Sequence, residues 1–419
     1  MKKELAFLMV TALLLGAAGC GSGGQSAETT AETAADETTQ TDTAASDTSS
    51  TENSSSGSEL TGDPIKIGFT TVLTGDRSLE GEYGSNAAAL VEEEINAAGG
   101  VLGRPIEIVI EDALGTDVGA VNAYRKLAAD DDIVAIIGSD SSNDNIAISG
   151  SVLEAQIPTI AQGSSPTLEA LCNDENSYMF QIRTCDSTLC DALIQYAVEE
   201  QGLETFAVIH DTESASADQA RLFTEALAKY GIEPTVTVPF TTGTKDFSSH
   251  LVQIQNTQPD AVIGAMFHTE AAILVQQMRS MGMDMPIFGS NAFGDPITIE
   301  LAGEYMNNVF SVTGWVPNTP NEKGAAFSQK YTETYGDECA MSAAKIYDMV
   351  YLICEAVERA GSTDRDAVRD AMNTIDHYEG AMTVYDCRTN GACGRGGLVV
   401  EVVDGVQTIR AEVYSEKEI

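Results

Sequence analysis

The chain has 419 residues, 43% of them hydrophobic, and its 22 Lys and Arg against 64 Asp and Glu give a formal net charge of −42. A charge of this sign and size repels nucleic acid and anionic lipid, so we expect neither as a partner. The length exceeds that of one ordinary domain and favours a body with two lobes.

Residues 1–19 have the form of a secretory signal. Two lysines precede an apolar run from residue 5 to residue 18, which is too short to span a bilayer and ends in small residues. The Ala-Ala-Gly-Cys sequence at 17–20 resembles a bacterial lipobox, although the usual Leu three places before the Cys is Ala17. The resemblance implies cleavage before Cys20 and a lipid anchor that holds the mature protein outside the cytoplasm on the bacterial cell membrane. An ordinary signal peptide cut elsewhere is the alternative.

Residues 20–62 form a linker in this interpretation. From residue 21 to residue 62 there is no Lys, Arg or aromatic residue, and Ser and Thr are abundant. Such a segment cannot bury enough apolar surface to offset its ordering entropy, so we predict that it is disordered. As a flexible coil it has a reach of roughly 35 Å, enough to hold a folded body clear of the membrane.

Apolar strands alternate with helical patterns along the body. We predict strands at 65–69, 106–110, 134–137 and 158–161, and helices at 83–98, 118–129 and 145–155. The alternation restarts with strands at 206–209, 235–238, 261–266 and 286–288, and helices at 217–230, 247–255 and 270–281. Apolar strands covered by helices are typical of buried parallel sheets. The sequence therefore predicts an α/β fold with two doubly wound, Rossmann-like lobes.

The last part of the chain departs from this alternation. Helical patterns at 341–360 and 363–375 are followed by strand patterns at 382–385, 397–403 and 408–414 that look antiparallel. This order suggests that the chain returns to both lobes.

Seven cysteines remain after Cys20. The best local pair is Cys387 with Cys393, because a hairpin loop with Gly391 at its left-handed position would place both sulfurs on opposing strands. Pairing of Cys172 with Cys185 or Cys190 is a weaker alternative. An odd number leaves at least one thiol unpaired or linked to another molecule. No Cys and His grouping has zinc spacing, so we expect no metal and no cofactor.

Short motifs follow one another in order along residues 64–419. They are IKIG at 65–68 with LTG at 73–75, NAAGGVLG at 96–103, IIG at 136–138 with Ser141-Ser142, IP at 157–158, FQIRT at 180–184, KDF at 245–247 and AAKIYD at 343–348. Each motif is weak alone, but the ordered set resembles the Leu/Ile/Val-binding protein family. These are the type I periplasmic solute-binding proteins of amino-acid ABC importers.

The resemblance implies two lobes joined by three hinge crossings. By position these crossings fall near 183–184, 310–313 and 378–383. The first lobe is then 64–183 with 314–377, and the second lobe is 184–313 with 378–419. The family implies a monomer that closes on a small ligand and docks on the permease subunits of an ABC importer.

The resemblance also implies a site for the carboxylate of a ligand. Ligands of open α/β sheets bind beyond the carboxyl ends of the strands, at helix N-termini. The family binds a carboxylate at the positions of Ser142, Ser164 and Ser165. The alternative is that Ser142 and Ser165 are N-caps or turn residues. Glu80, on the first loop, is a further candidate.

The ammonium side of the site departs from the family. The family has an aromatic residue near Phe267 or His268 and a carboxylate near Asn291, which is an amide here. A charge pair at about 4 Å is worth roughly 4 kcal/mol at an effective dielectric near 20, and an amide oxygen supplies a fraction of that. Three acids on neighbouring loops are candidates to supply the charge: Asp211, Glu270 and Asp295. Without such an acid, the ligand is an amide, a urea-like compound or a carboxylate.

Catalytic motifs are absent from the sequence. There is no Gly-x-Ser-x-Gly elbow, phosphate loop, Gly-x-Gly-x-x-Gly or His-Glu-x-x-His. We therefore expect a binding protein and not an enzyme: a lipoprotein that captures a branched-chain amino acid, or a related amino-acid or amide compound, for an ABC importer. The alternative is a ligand-sensing module that reports to a membrane signalling partner without transport.

Overall fold

Two β-sheets organise the chain in the computed structural model. The model describes residues 60–75, 77–172, 177–388 and 391–414. Cys20, the signal and nearly all of the linker lie outside the described residues, so the predictions about them are not addressed by the structure.

The first sheet is parallel throughout and is built from the first half of the body. Within the described residues its strands are β1 (Ile65–Thr71), β2 (Ile106–Asp112), β3 (Ile133–Ile137), β4 (Thr159–Ala161) and β5 (Met179–Gln181). The helices between them are α1 (Ser78–Ala97), α2 (Asp117–Ala128), α3 (Ser142–Ala155) and α4 (Pro166–Leu171). The strand order is β2-β1-β3-β4-β5. All five residues of β3 are buried, as expected for a strand with helices on both faces of its sheet.

The second half of the body repeats this plan. Its elements are α5 (Asp186–Gln195), β6 (Phe206–Asp211), α6 (Ser214–Lys229), β7 (Val236–Phe240), α7 (Ser248–Gln255), β8 (Ala261–Ala265), α8 (His268–Ser280), β9 (Ile287–Gly289), α9 (Pro296–Ala302) and β10 (Val309–Thr313). Strands β6 to β10 pair with one another in parallel.

The chain then returns to both sheets, as the sequence predicts. The remaining elements are α10 (Glu322–Tyr335), α11 (Met341–Ala360), α12 (Arg365–Met372), the short strands β11 (Tyr378–Glu379) and β12 (Val384–Tyr385), β13 (Gly396–Val403) and β14 (Val406–Tyr414). Helix α11 packs on α1 and shares one apolar core with β1 and β3. Strand β13 pairs antiparallel with β10, so the second sheet has the order β14-β13-β10-β9-β8-β6-β7. We call each sheet with the residues packed on it the first lobe and the second lobe.

The predicted α/β alternation is confirmed. Some elements are absent from the prediction, and several predicted helices begin earlier than expected. The elements that were not predicted include α4, β5, α5, α9 and α10. Helix α1 begins at Ser78 and α3 at Ser142, five and three residues earlier than predicted. Helix α8 begins at His268 and not at Glu270. The first turn of each of these helices is mostly polar, so the apolar periodicity that reveals a helix starts later than the helix itself.

One crossing between the lobes, the third, lies later than predicted. Residues 309–313 are strand β10 of the second sheet, so the chain leaves that lobe after Thr313. The third crossing does not lie at 378–383. The buried carboxylate of Asp348 on α11 accepts hydrogen bonds from the N–H groups of Ala381 (2.6 Å) and Met382 (2.9 Å) and from the hydroxyl of Tyr385 (2.7 Å). These bonds keep the segment on the first lobe.

The third crossing follows Cys393, whose N–H donates to the Gln181 carbonyl of β5 at 2.8 Å. The chain then passes directly against the first crossing: a Cβ on Gly394 would lie 2.4 Å from the nitrogen of Thr184. The Thr184 hydroxyl donates to the Gly396 carbonyl at 2.6 Å. Because the two crossings touch, only glycine fits at position 394, and the connections between the lobes are narrow and close together.

Candidate ligand-binding site

The ends of β3 and β4 bring two helix N-termini together. Ser141 caps α3 by accepting from the N–H of Asn143 at 3.1 Å, and Ser142 is the first residue of that helix. The Ser142 hydroxyl oxygen accepts from the N–H groups of Ser164 (3.2 Å) and Ser165 (3.3 Å). These two bonds fix the oxygen and leave the hydroxyl hydrogen free to donate. Ser142 is therefore not the cap of α3 but a link between two loops.

Ser165 and Ser164 have structural partners as well. The Ser165 hydroxyl caps α4 by accepting from the N–H of Leu168 at 3.2 Å, which is the alternative that the sequence left open. The Ser164 carbonyl accepts from the N–H of Asp186 at 2.8 Å. Burial raises the pKa of the Asp186 carboxyl, and Arg183 and the Ser164 side chain act in the opposite direction. The predicted carboxylate loop is thus tied to the start of α5, just beyond the first crossing.

Ion pairs surround this loop on the first lobe. Arg77 pairs with Asp144 at 3.0 Å, and the buried Asp144 also accepts from the Ser139 hydroxyl at 2.8 Å. Lys345 on α11 pairs with Asp140, and its side chain is 3% exposed. Burial lowers the pKa of Lys345 below its ordinary value, and the Asp140 carboxylate acts in the opposite direction. Charges of both signs therefore lie at the base of the site.

Glu80 of the first lobe and His268 of the second lobe lie near each other. Glu80 is exposed in the first turn of α1, and not on a loop as predicted. His268 opens α8, with its Nε2 3.6 Å from the Asp295 carboxylate. The hydrogen bond to Asp295 raises the pKa of His268 above its ordinary value, and Glu80 and Glu270 raise it further. Glu80 of the first lobe therefore lies close enough to act on a side chain of the second.

Phe267 precedes His268 and caps α8 without a side-chain hydrogen bond. Its ring is 44% exposed, which is a large fraction for an aromatic side chain in a protein with ample core. An exposed aromatic ring at a helix N-terminus offers an apolar wall for a ligand.

Each of the three acids considered for the ammonium has another use. Asp211 is fully buried inside the second lobe, and its Oδ1 accepts from the Glu213 N–H (2.9 Å) and the Thr242 hydroxyl (2.7 Å). The structure therefore does not place Asp211 on an accessible surface, contrary to the prediction. Glu270 is 7% exposed and accepts from a loop N–H at 2.9 Å. Asp295 caps α9 and pairs with His268.

Asn291 lies in a one-turn helix at 291–293, next to residues that the sequence did not single out. It lines a cavity of about 10 Å³ together with Arg183, Asp186 and Ser290. Two of these residues could have been found from the sequence, because Arg183 belongs to the FQIRT motif and Ser290 is the immediate neighbour of Asn291. Asp186 had no such signal, because its approach to Asn291 depends on how the crossings fold.

Cys387 and Cys393 form a disulfide with a sulfur–sulfur distance of 2.13 Å, just before the third crossing. The other cysteines within the described residues are free and buried: Cys172, Cys185, Cys190, Cys339 and Cys354. In the same part of the chain, no three His, Cys, Asp or Glu side chains are grouped so as to hold a metal ion. None of the helices that the structure describes has the length and hydrophobicity of a membrane span.

Two curated relatives are similar to most of this chain. The Leu/Ile/Val-binding protein BraC3 of Rhizobium johnstonii is 25% identical over 315 residues, which are 74% of this chain and 83% of that protein. The protein of Pseudomonas aeruginosa named "Amino acid binding protein" is 27% identical over 305 residues, which are 72% of this chain and 80% of that protein.

A solved structure agrees with the fold. The branched-chain amino acid transporter substrate binding protein LivJ from Streptococcus pneumoniae, in complex with isoleucine, matches with a TM-score of 0.72 at 24% identity. The match covers 84% of this chain and 99% of that chain. The model of the family described as "Periplasmic binding protein" matches residues 64–406, which is most of the sequence. The chain therefore belongs to the Periplasmic binding protein family and has a solute-binding role.

Proposed function

We propose that this chain is an extracytoplasmic lipoprotein that captures a branched-chain amino acid, or a related amino-acid or amide compound, between its two lobes and delivers it to an ABC importer. The observation that carries the proposal is the convergence of two helix N-termini on Ser142, beside two crossings that lie against each other. Helix N-termini carry partial positive charge and unused N–H groups, and both favour a carboxylate.

The second lobe supports the same assignment from the opposite side. Phe267 presents an exposed side chain, and Asn291 lines a small cavity together with Arg183 and Asp186. A ligand that touches both lobes binds the closed arrangement more tightly than the open one, and this difference drives closure. The permease can then recognise the closed, loaded protein and not the open, empty one.

The lipid anchor is part of this proposal and rests on the sequence at 17–20. Mass analysis of the membrane fraction should find Cys20 as the first residue, with its thiol acylated. A mature protein that begins at another residue, with a free amino terminus and no lipid, would contradict the anchor and leave the binding function untouched.

A thermal-shift panel tests the binding function directly. The panel holds the twenty amino acids with amides, urea derivatives and short carboxylates. A ligand at a hundred times its dissociation constant stabilises the folded state by about 2.7 kcal/mol, which is easily measured. We expect Leu, Ile or Val to raise the melting temperature. A panel in which no compound has an effect contradicts the proposal.

Uptake separates delivery from sensing. A bacterial strain that lacks this protein should lose uptake of the labelled ligand, and a plasmid copy should restore it. Unchanged uptake together with a lost transcriptional or chemotactic response would favour the sensing module.

A further inference from the structure

A lysine of the first lobe is buried where the connections between the lobes meet. Lys345 on α11 is 2% exposed and lines a cavity of about 10 Å³. Residues at all three crossings line the same cavity: Arg183 and Thr184 at the first, Gly314 at the second and Gly396 at the third. Lysine is almost never fully buried in a folded protein unless it is paired. The burial of Lys345 is therefore expected to depend on a specific partner.

That partner is Asp140, in the loop between β3 and α3. The Lys345 ammonium pairs with the Asp140 carboxylate, although the two residues are 205 positions apart in the sequence. Asp140 lies two residues before Ser142, in the loop where two helix N-termini converge. The ion pair therefore joins the candidate ligand loop to α11 at the meeting point of the crossings.

Several hydrogen bonds hold the shape of this loop locally. Asn145 in the first turn of α3 donates from its Nδ2 to the carbonyls of Ser139 (2.7 Å) and Ser141 (2.6 Å). The Ser139 hydroxyl donates to the Asp144 carboxylate at 2.8 Å. Because these bonds lie between residues 139 and 145, they fix the loop on its own helix and not relative to the crossings. The pair with Lys345 supplies the contact to a distant element.

Stability alone does not account for this ion pair. Two buried charges lose their hydration, and their attraction often does no more than offset that loss, so an apolar pair of similar size would be about as stable. A hydrogen-bonded ion pair differs from an apolar pair in that it fixes the distance and direction between its atoms. Arg183, at the first crossing, is close enough to act electrostatically on both Asp140 and Lys345. The charges are thus suited to fixing the position of the loop beside the hinge.

We propose that Lys345 is a positioning residue for ligand binding, which holds Asp140 and thereby fixes the loop at 139–142 relative to the three crossings. The inference rests on the proposed function, since it concerns the loop that would contact the ligand. A loop that is fixed in advance loses less entropy when a ligand binds. Lys345 acts through Asp140 and does not itself touch the ligand.

Calorimetric titration and thermal melting of the whole protein test this role. The titrant is each compound of the thermal-shift panel that binds the wild type, with L-leucine first. Lys345→Met removes the ammonium and keeps an unbranched side chain of similar length, Asp140→Asn removes the carboxylate charge, and a double variant combines the two. The matched control is Lys66→Met, because Lys66 pairs with Asp130 at 2.9 Å where β1 begins, at the opposite edge of the first sheet.

We expect Lys345→Met and the double variant to weaken ligand binding roughly 5- to 30-fold, which corresponds to the ordering of one backbone residue. Lys66→Met should leave the affinity unchanged. The double variant should nevertheless melt at a higher temperature than either single variant, because neither charge is left buried without its partner. A purely structural ion pair would behave differently, since removing both charges would restore the affinity together with the melting temperature.

The double variant answers the question even if a single variant does not fold. Wild-type affinity in the double variant would overturn the role of Lys345. An equal loss of affinity in Lys66→Met would also overturn it, because the effect would then be common to ion pairs of the first lobe. A wild-type protein that binds no compound of the panel would instead refute the proposed function, and this inference with it.

Discussion

Two pairs of polar side chains, with one member of each pair in each lobe, differ in how fully they are hydrogen-bonded. Asp348 on helix α11 of the first lobe and Asp211 at the end of β6 in the second lobe are both fully buried. In the first lobe both carboxylate oxygens of Asp348 accept hydrogen bonds, whereas in the second lobe Asp211 uses Oδ1 alone and its Oδ2 is unpaired within the described residues. The same contrast holds at the site, where Ser142 is bonded twice and Ser290 has no partner.

This difference indicates separate roles for the two lobes in binding. The first lobe presents a loop whose geometry is fixed before a ligand arrives, which lowers the entropy lost on binding. In the second lobe the Ser290 hydroxyl has no hydrogen-bond partner among the described residues and is available to a ligand. On this view a ligand settles on the first lobe, and its contacts to the second provide the free energy of closure.

The largest expected effect is that of Asp348→Asn on stability, compared with the same substitution at Asp211. Asp348→Asn puts an NH2 group against donors that now bond to an oxygen, and we expect a loss of about 2–4 kcal/mol in the free energy of unfolding. Asp211→Asn keeps Oδ1 for both donors and puts the NH2 where Oδ2 has no partner, so the loss should be under about 1 kcal/mol. Urea unfolding of both variants measures the difference.

Each substitution is the control for the other, because both residues are fully buried and the chemical change is the same. Equal losses would show that the two lobes do not differ in this respect. A larger loss for Asp211→Asn would reverse the comparison.

Much of the fold could be predicted from the sequence. The apolar run at 134–137 predicts a strand, and the structure has one at 133–137; the periodic pattern at 341–360 predicts a helix, and the structure has it at the same residues. The third crossing could not be predicted, because it depends on Asp348 reaching over 30 residues ahead in the chain to hold Ala381 and Met382. Local patterns contain no information on such a contact.

The candidate site was predictable on one lobe only. Ser142 and Ser164 stand where a strand ends and a helix begins, and this position is visible in the sequence. The acids of the second lobe were not resolved by sequence, since Asp211, Glu270 and Asp295 occur at equivalent loop positions. What separates them is burial and hydrogen bonding, which arise from tertiary contacts.

A smaller effect should separate binding from capping at the N-terminus of α3. Ser142→Ala removes a hydroxyl oriented by two N–H groups, and we expect the affinity for the ligand to fall by about 1–2 kcal/mol. Ser141→Ala removes the cap and should lower the free energy of unfolding by about 1 kcal/mol, with little effect on affinity. Calorimetric titration and urea unfolding of both variants measure the two quantities.

The two adjacent serines thus control for each other. If Ser142→Ala binds like the wild type, the hydroxyl only joins the loops after β3 and β4. The first lobe would then be rigid without providing that contact to the ligand.

The smallest effect concerns His268, where the two lobes meet. The pKa of His268 is raised in the folded protein, so the His268–Asp295 interaction stabilises the fold when His268 is protonated. This stabilisation is complete below about pH 6.5, the ordinary pKa of histidine. It is lost as the pH rises through the pKa that His268 has in the folded protein. Both side chains are about one-third exposed, so the contribution should be a few tenths of a kcal/mol. Asp295→Asn keeps a capping side chain for α9 but should lower the pKa of His268, measured by NMR titration with the other three histidines as internal controls.

Glu80 acts on His268 from the first lobe, so ligand that draws the lobes together should raise the pKa of His268 in the wild type and not in Glu80→Gln. An identical His268 titration with and without bound ligand would mean that the lobes do not approach each other at this point.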